Sequence, residues 1–248
     1  LAAGLTDSSV VAIVPARYHS TRLPGKPLAQ IAGRPMVEHV YRQASLSSTV
    51  DAVLVATDDQ RIVDAVEAFG GIACLTRRDH LTGTDRLAEL VAHVPCDIVV
   101  NVQGDEPFID PAAIDALVAP LRRDLSEQMT TLCRALLPGE DVASPHLVKV
   151  VRDLRGRALY FSRAAVPHLR SPGGAMPAVH IGVYAYRRAT LLALAALAPT
   201  PLELSESLEQ LRALEHGIPI RVVESSYVSL SVDTPDDLER ARRKVQLP

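Results

Sequence analysis

One loop of this sequence is built to hold an anion. Ala16-Arg17-Tyr18-His19-Ser20-Thr21-Arg22-Leu23-Pro24-Gly25-Lys26-Pro27 carries three cations, two aliphatic hydroxyls and a glycine. Arginine offers planar forked donors, lysine a point charge, and a turn-rich backbone can turn its N–H groups toward phosphate oxygens. Residues 1–50 hold five basic side chains (Arg17, Arg22, Lys26, Arg34, Arg42) against two acids, Asp7 and Glu38, so this end is locally positive. The loop fits neither G-x-x-x-x-G-K-[ST] nor G-x-G-x-x-G, and Pro27 stops a helix from continuing through Lys26. Polyphosphate is the expected guest, without the usual ATPase or dinucleotide frame.

Two carboxylates complement that loop. In Asn101-Val102-Gln103-Gly104-Asp105-Glu106-Pro107, Gly104 permits a sharp exit from a strand and Pro107 holds Glu106 out of helical geometry, which places Asp105 at the strand's carboxyl end. Asp110 before Pro111 reads as a helix N-cap. In Val232-Asp233-Thr234-Pro235-Asp236-Asp237, Thr234 caps, Pro235 opens the helix and Asp237 completes a capping-box arrangement, so Asp233 is left over. A carboxylate repels a triphosphate unless a divalent ion stands between them, and Mg²⁺ takes one or two carboxylates with phosphate oxygens and waters. Asp105 and Asp233 suit that role, which implies nucleotide–metal chemistry at phosphorus.

The elements that must position these residues follow from hydrophobic patterning. Val10 to Pro15 reads as a central strand buried on both faces, with further strands at Ala52 to Ala56, Gly71 to Leu75, Ile98 to Gln103, Met129 to Leu136 and Ile220 to Glu224. Ile62, Val63, Val66 and Phe69 form one apolar helical stripe, stopped by Gly70-Gly71. Alternating strands and helices predict an α/β fold: a three-layer open, mostly parallel sheet with its ligand site beyond the strands' carboxyl ends. Residues 148–186 break the rhythm with Pro167, Pro172, Pro177 and Gly173-Gly174, and read as a β-rich insertion in a single domain spanning 1–248. There is no internal repeat or low-complexity linker.

The chain has 248 residues, 48% of them hydrophobic, enough to bury a substantial core. With 26 Lys+Arg against 29 Asp+Glu and no Trp, nothing recommends nucleic acid as a partner. No apolar run of roughly 18 residues occurs, so no membrane span is expected. Cys74, Cys96 and Cys133 are odd in number and widely spaced, as in core residues of a reducing compartment. Leu1 to Ser9 lacks a basic start and long apolar core, and cytoplasm is the expected location.

From about Val10 to Lys244 the chain resembles the cytidylyltransferases that activate 3-deoxy-D-manno-octulosonate (Kdo), the CMP-Kdo synthetases. The resemblance is carried by the basic loop, by Thr76-Arg77-Arg78-Asp79-His80 with Gly83-Thr84-Asp85-Arg86-Leu87, and by Asn101 to Pro107. It continues through Ala158-Leu159-Tyr160-Phe161-Ser162-Arg163, His180-Ile181-Gly182-Val183-Tyr184, Leu208-Glu209-Gln210-Leu211-Arg212 and Val232-Asp233-Thr234-Pro235. The basic-loop motif is shared by several sugar nucleotidyltransferases, whereas the combined set is specific to this family.

The resemblance implies CTP + Kdo → CMP-Kdo + pyrophosphate with Mg²⁺, in the cytoplasm, for lipopolysaccharide, by a homodimer whose interface uses the β-rich insertion. It also implies that Arg17, Arg22 and Lys26 hold the triphosphate, with Thr21, Arg77, Thr82 and Gln103 as further nucleotide contacts. Asp105 then holds a metal against the α-phosphate, and Asp233 shares a second with the sugar's carboxylate and anomeric oxygen, favouring in-line attack. Arg163, His180, Tyr184, Glu209 and Gln210 fall at sugar-pocket positions. Without the resemblance, His180 and Tyr184 read as same-face strand neighbours, and Glu209 and Gln210 as the solvated side of a helix with Leu204, Leu208 and Leu211 on its apolar side. The segment from His168 to Val179 is shorter than in many relatives. The rival enzymes are cytidylyltransferases for sialic acid or 8-amino-Kdo, and the rival class is a nucleotide-binding regulator without turnover.

Overall fold

The computed structural model describes residues 4–20, 22–80, 82–171 and 174–246. It groups into two compact units, Leu1–Asp115 with Ser229–Pro248, and Ala116–Val228.

The first unit is a parallel α/β layer. Strand β1 (Val10–Ala16) is apolar and almost wholly buried, because it is paired on both edges and covered on both faces. The hairpin formed by β2 (Gln30–Ile31) and β3 (Arg34–Pro35) follows, then helix α1 (Met36–Ser45). Strand β4 (Ala52–Thr57) lies parallel to β1, with Val11 opposite Ala52 and Ala16 opposite Thr57. Helix α2 (Gln60–Ala68) starts at Asp59, whose carboxylate accepts from the Arg61 N–H, and buries Ile62, Val63 and Val66. Strand β5 (Ala73–Leu75) pairs parallel with β4.

Helix α3 (Gly83–Val91) opens on a capping box between Thr82 and Asp85. Strand β6 (Ile98–Asn101) pairs parallel with the other edge of β1, giving the order β6-β1-β4-β5. Helix α4 (Pro111–Arg123) carries the chain onward, its first turn capped by Asp110, which accepts from the Ala112 N–H.

The second unit mixes directions. Strand β7 (Met129–Ala135) is followed by the hairpin β8 (Lys149–Arg152) and β9 (Ala158–Ser162). The long β10 (Ala178–Arg187) runs antiparallel to β7 and, at its start, to β8. Helices α5 (Arg188–Ala195), α6 (Pro201–Glu206) and α7 (Gln210–Glu215) lead to β11 (Ile220–Glu224), parallel to β7. The expected strands lie within two residues of their predicted bounds, and residues 148–186 are indeed strand-rich.

The alternative reading of residues 204–211 as one amphipathic helix is corrected. Ser207 adopts a left-handed φ of 52°, so α6 ends and α7 begins afresh, leaving Leu204 exposed while Leu208 and Leu211 are buried.

The chain then returns to the first unit, where α8 (Pro235–Gln246) closes the fold. Val232, Leu238 and Ala241 bury against Ile31 and Met36, with Leu23 and Phe108 at the margin. Spacing of three between Leu238 and Ala241 puts both on one helical face, so the last helix is held beside the loop that follows β1.

Candidate active site

The cleft lies in the first unit, beyond the carboxyl ends of β1 and β6. It has a volume of about 420 Å³ and is lined by Arg17, Arg22, Lys26, Gln103, Asp105 and Asp233, together with His19, Ser20 and Gly83.

Local chemistry shapes the basic loop. Gly25, at φ 67°, packs over the Tyr18 ring and donates its N–H to the Tyr18 carbonyl at 3.0 Å, closing the loop on itself. Arg61 stacks over the other component of that fold-back, its guanidinium carbon 3.3 Å from the Tyr18 ring centroid, while its fork is held by Asp59. Lys26 then opens a three-residue 3-10 turn with Pro27, consistent with proline blocking a longer helix.

The acidic side arrives from two distant parts of the chain, after β6 and before α8. Gly104 passes so close to β1 that a Cβ there would lie 2.6 Å from the Pro15 carbonyl oxygen, and this approach delivers Asp105 to the cleft. Asp233 comes from the far end of the chain. The Val232 N–H donates to the Asp105 carbonyl at 2.9 Å, and Asp237 accepts from the N–H groups of both Asp233 and Thr234. The Asp233 carboxylate is therefore not the helix cap; Thr234 and Asp237 fill that role.

Charge brings the two sides together. The Lys26 Nζ donates to Asp105 Oδ2 at 2.8 Å and to Asp233 Oδ1 at 2.9 Å, and Arg22 Nη2 lies 3.1 Å from Asp233 Oδ1. Burial alone depresses the Lys26 pKa, but the charges and hydrogen bonds of Asp105 and Asp233 outweigh it and raise it above the usual lysine value. Among the described residues no group of three or more His, Cys, Asp or Glu side chains is spaced to hold a metal. Two hard carboxylates sharing one cation nonetheless match the protein side of a magnesium–phosphate site, where the remaining ligands are phosphate oxygens and waters.

The nucleotide contacts implied by resemblance divide. Arg17 and Gln103 line the cleft. Arg77 does not: it is largely exposed, and its guanidinium is held by Asp79 at 2.9 and 3.0 Å. Thr82 serves as the α3 cap, its hydroxyl accepting from Asp85 N–H, although the adjoining Gly83 lines the cleft. Thr21 lies outside the described residues.

The second unit holds the residues that the resemblance assigns to the sugar. His180 and Tyr184 share a face of β10, their ring centroids 5.5 Å apart, and Phe161 of β9 meets His180 edge-on at 4.8 Å. Pairing shifts between Ile181 and Tyr184, and the Thr131 hydroxyl of β7 spans this bulge: it reaches the Val183 carbonyl at 2.9 Å and His180 Nε2 at 2.9 Å. Burial pushes the His180 imidazole down to about 3, so it is neutral near pH 7. Burial, and then the charge of Glu209, raise the Tyr184 hydroxyl pKa, so Glu209 lies within electrostatic reach of that ring.

Gln210, at the start of α7, is buried, and its Nε2 has no hydrogen-bond partner among the described residues. Arg163 is engaged differently from a free sugar ligand, because its guanidinium grips the carbonyls of Glu206, Pro145 and Ser207. Sequence reasoning missed Thr131 and Glu206, since each acts through a partner more than forty positions away and belongs to no local motif, and it gave Phe161 within the 158–163 motif without its packing on His180.

Comparison with known proteins places this arrangement. A family model described as Cytidylyltransferase matches residues 11–223. The "3-deoxy-manno-octulosonate cytidylyltransferase" of Geobacter metallireducens is 52% identical over 247 residues, covering 95% of this chain and 97% of that protein. The protein of the same description from Myxococcus xanthus is 56% identical over 232 residues, covering 93% and 94%. A solved structure of CMP:2-keto-3-deoxy-manno-octonic acid synthetase complexed with CTP superposes with a TM-score of 0.92 at 46% identity, covering 96% of this chain and 99% of its own. A 4-diphosphocytidyl-2C-methyl-D-erythritol synthase from Anaerococcus prevotii, 15% identical with a TM-score of 0.63 over 97% of each chain, shares the fold.

Proposed function

This chain belongs to the 3-deoxy-manno-octulosonate cytidylyltransferases, and on that premise we propose how its residues carry out the transfer of a cytidylyl group from CTP to Kdo, releasing pyrophosphate. The observation that carries the reading is the single Lys26 ammonium shared by Asp105 and Asp233 in a cleft lined by Arg17 and Arg22. Arg17, Arg22 and Lys26 bind the triphosphate and offset the charge that builds as pyrophosphate departs. Gln103 and Thr82, with Thr21 of the basic-loop sequence, complete the nucleotide contacts, with Arg77 joining them on release from Asp79.

Asp105 and Asp233 hold Mg²⁺. When bound, the ion supplies charge neutralisation at the phosphates and acidifies the sugar's anomeric hydroxyl. The protein's part is to fix the carboxylates, and it does so with the Val232-to-Asp105 backbone bond and the Thr234/Asp237 cap. His180, Tyr184, Glu209 and Gln210 recognise the sugar, His180 as a neutral hydrogen-bonding group and Gln210 through its buried amide donor. Arg163 shapes this pocket by holding backbone carbonyls. In this chemistry the nucleotide phosphorus is attacked in line and no covalent enzyme intermediate forms.

We further propose a single nucleotidyltransferase domain over 1–248, with residues 148–186 contributing to a homodimer interface. Cytoplasmic action accords with three free cysteines, and among the described residues no helix is long and apolar enough to cross a membrane.

The test is a pyrophosphate-release assay across four nucleotides and three acidic sugars, Kdo, 8-amino-Kdo and sialic acid, with and without chelator. CTP with Kdo supports turnover, and chelator abolishes it. Release with sialic acid but not Kdo, or undiminished release in chelator, refutes the assignment.

A further inference from the structure

Glu206 closes α6 one residue before the left-handed Ser207, in the short turn that leads to Glu209 and Gln210. A non-glycine residue at positive φ is disfavoured and persists where surrounding contacts hold it. Here those contacts come from the end of β9. The Glu206 carboxylate accepts from the Ser162 hydroxyl at 2.6 Å and from the Arg163 N–H at 2.9 Å, with the Tyr160 hydroxyl at 3.5 Å.

The tie is reciprocal. Arg163 Nε donates to the Glu206 carbonyl at 2.7 Å and its Nη2 to the Ser207 carbonyl at 3.3 Å, so strand end and turn hold each other by both side chain and backbone. Arg163 is itself fixed from behind. The buried Lys149 ammonium donates to the Arg163 carbonyl, and to the carbonyls of Ser144 at 3.0 Å and Leu147 at 2.5 Å. Although burial opposes its ionisation, the Ser162, Arg163 and Tyr160 hydrogen bonds hold the Glu206 carboxyl below its usual pKa, so the clamp is charged at neutral pH.

From this geometry we infer that Glu206 is a positioning residue for the sugar substrate: it sets the α6–α7 turn so that Glu209 and Gln210 meet the acidic sugar beside Tyr184 and His180. The inference rests on the sugar-site assignment proposed above. Glu206 touches neither nucleotide nor sugar; it acts by fixing the backbone from which the sugar-binding groups project. Because Phe161 of the same strand packs on His180, the clamp is joined to the His180–Tyr184 pair through β9.

The test uses full-length Glu206→Gln and Ser162→Ala enzymes in the pyrophosphate assay, with KM measured separately for Kdo and CTP. The amide replaces one acceptor with a donor facing the Arg163 N–H and Ser162 hydroxyl. Glu206→Gln raises KM for Kdo on the order of tenfold, the scale on which small misplacement of a binding group is felt. Ser162→Ala, which removes one partner only, raises it by less. KM for CTP and the melting midpoint stay close to wild type, and kcat at saturating Kdo is largely retained. A parallel rise in both KM values, or unchanged KM for Kdo in both variants, overturns the inference while the wild type remains active. A wild type inert toward Kdo overturns the sugar assignment and this inference with it.

Discussion

His180 couples the aromatic cluster of the proposed sugar site to acid stability, and the size of the coupling follows from its surroundings. Its ring is enclosed by Phe161 and Tyr184 and engaged by Thr131, and burial lowers its pKa from the ordinary 6.5 to about 3. The folded-state value is depressed for a cationic acid. Between pH of about 6.5 and about 3 the unfolded chain therefore binds a proton that the native state refuses, and stability falls as the solution is acidified. Each pH unit in that window costs about 1.4 kcal/mol at full slope, so moving from neutral to about pH 5 costs about 2 kcal/mol. Residual exposure of the ring trims this to about 1–2 kcal/mol. His180→Gln keeps a polar atom for Thr131 but does not titrate in this range. Urea denaturation of both proteins at pH 7.5, 6 and 5 isolates the residue, because every other titrating group is common to the pair. The wild type loses about 1–2 kcal/mol more than the variant on going from pH 7.5 to 5. Equal losses would refute the argument that the imidazole is held neutral by its enclosure.

Two further substitutions probe the cleft and the proposed sugar site. Asp105→Asn removes one carboxylate charge and lowers kcat on the order of a hundredfold or more, with an unchanged melting midpoint; near-normal activity at ordinary Mg²⁺ returns Asp105 to a structural partner of Lys26. Gln210→Met replaces a buried amide whose Nε2 has no hydrogen-bond partner among the described residues, so thermal unfolding shifts by less than about 1 kcal/mol while KM for Kdo rises roughly tenfold. Large destabilisation with intact sugar kinetics would reverse that assignment.

The strands were legible because a parallel strand buried on both faces has to be apolar along its length, as β1 and β6 are. Two helix starts were legible for a different reason: Asp110 and Thr234 satisfy N–H groups only two or three residues ahead. Less was legible in the second unit. The bulge in β10 depends on the Thr131 hydroxyl of another strand, and the break at Ser207 depends on carbonyls gripped by Arg163. The resemblance sets Arg77 and Arg163 toward ligands, and their motifs alone do not show that the Asp79 carboxylate and three backbone carbonyls hold their planar guanidinium groups.

By itself, then, the sequence determined the kinds of groups available: a cationic loop after the first strand, a carboxylate at a strand exit, and a second carboxylate spared from capping. These are local facts, decided by neighbours within a turn or two of backbone. Only the tertiary structure decided that Lys26 meets both Asp105 and Asp233, the second across 207 positions of chain. That meeting depends on Val232, Leu238 and Ala241 burying against Ile31 and Met36. Hydrophobic burial is non-directional and indifferent to sequence separation, so it is the packing of these apolar faces, and no local pattern, that brings the charges together.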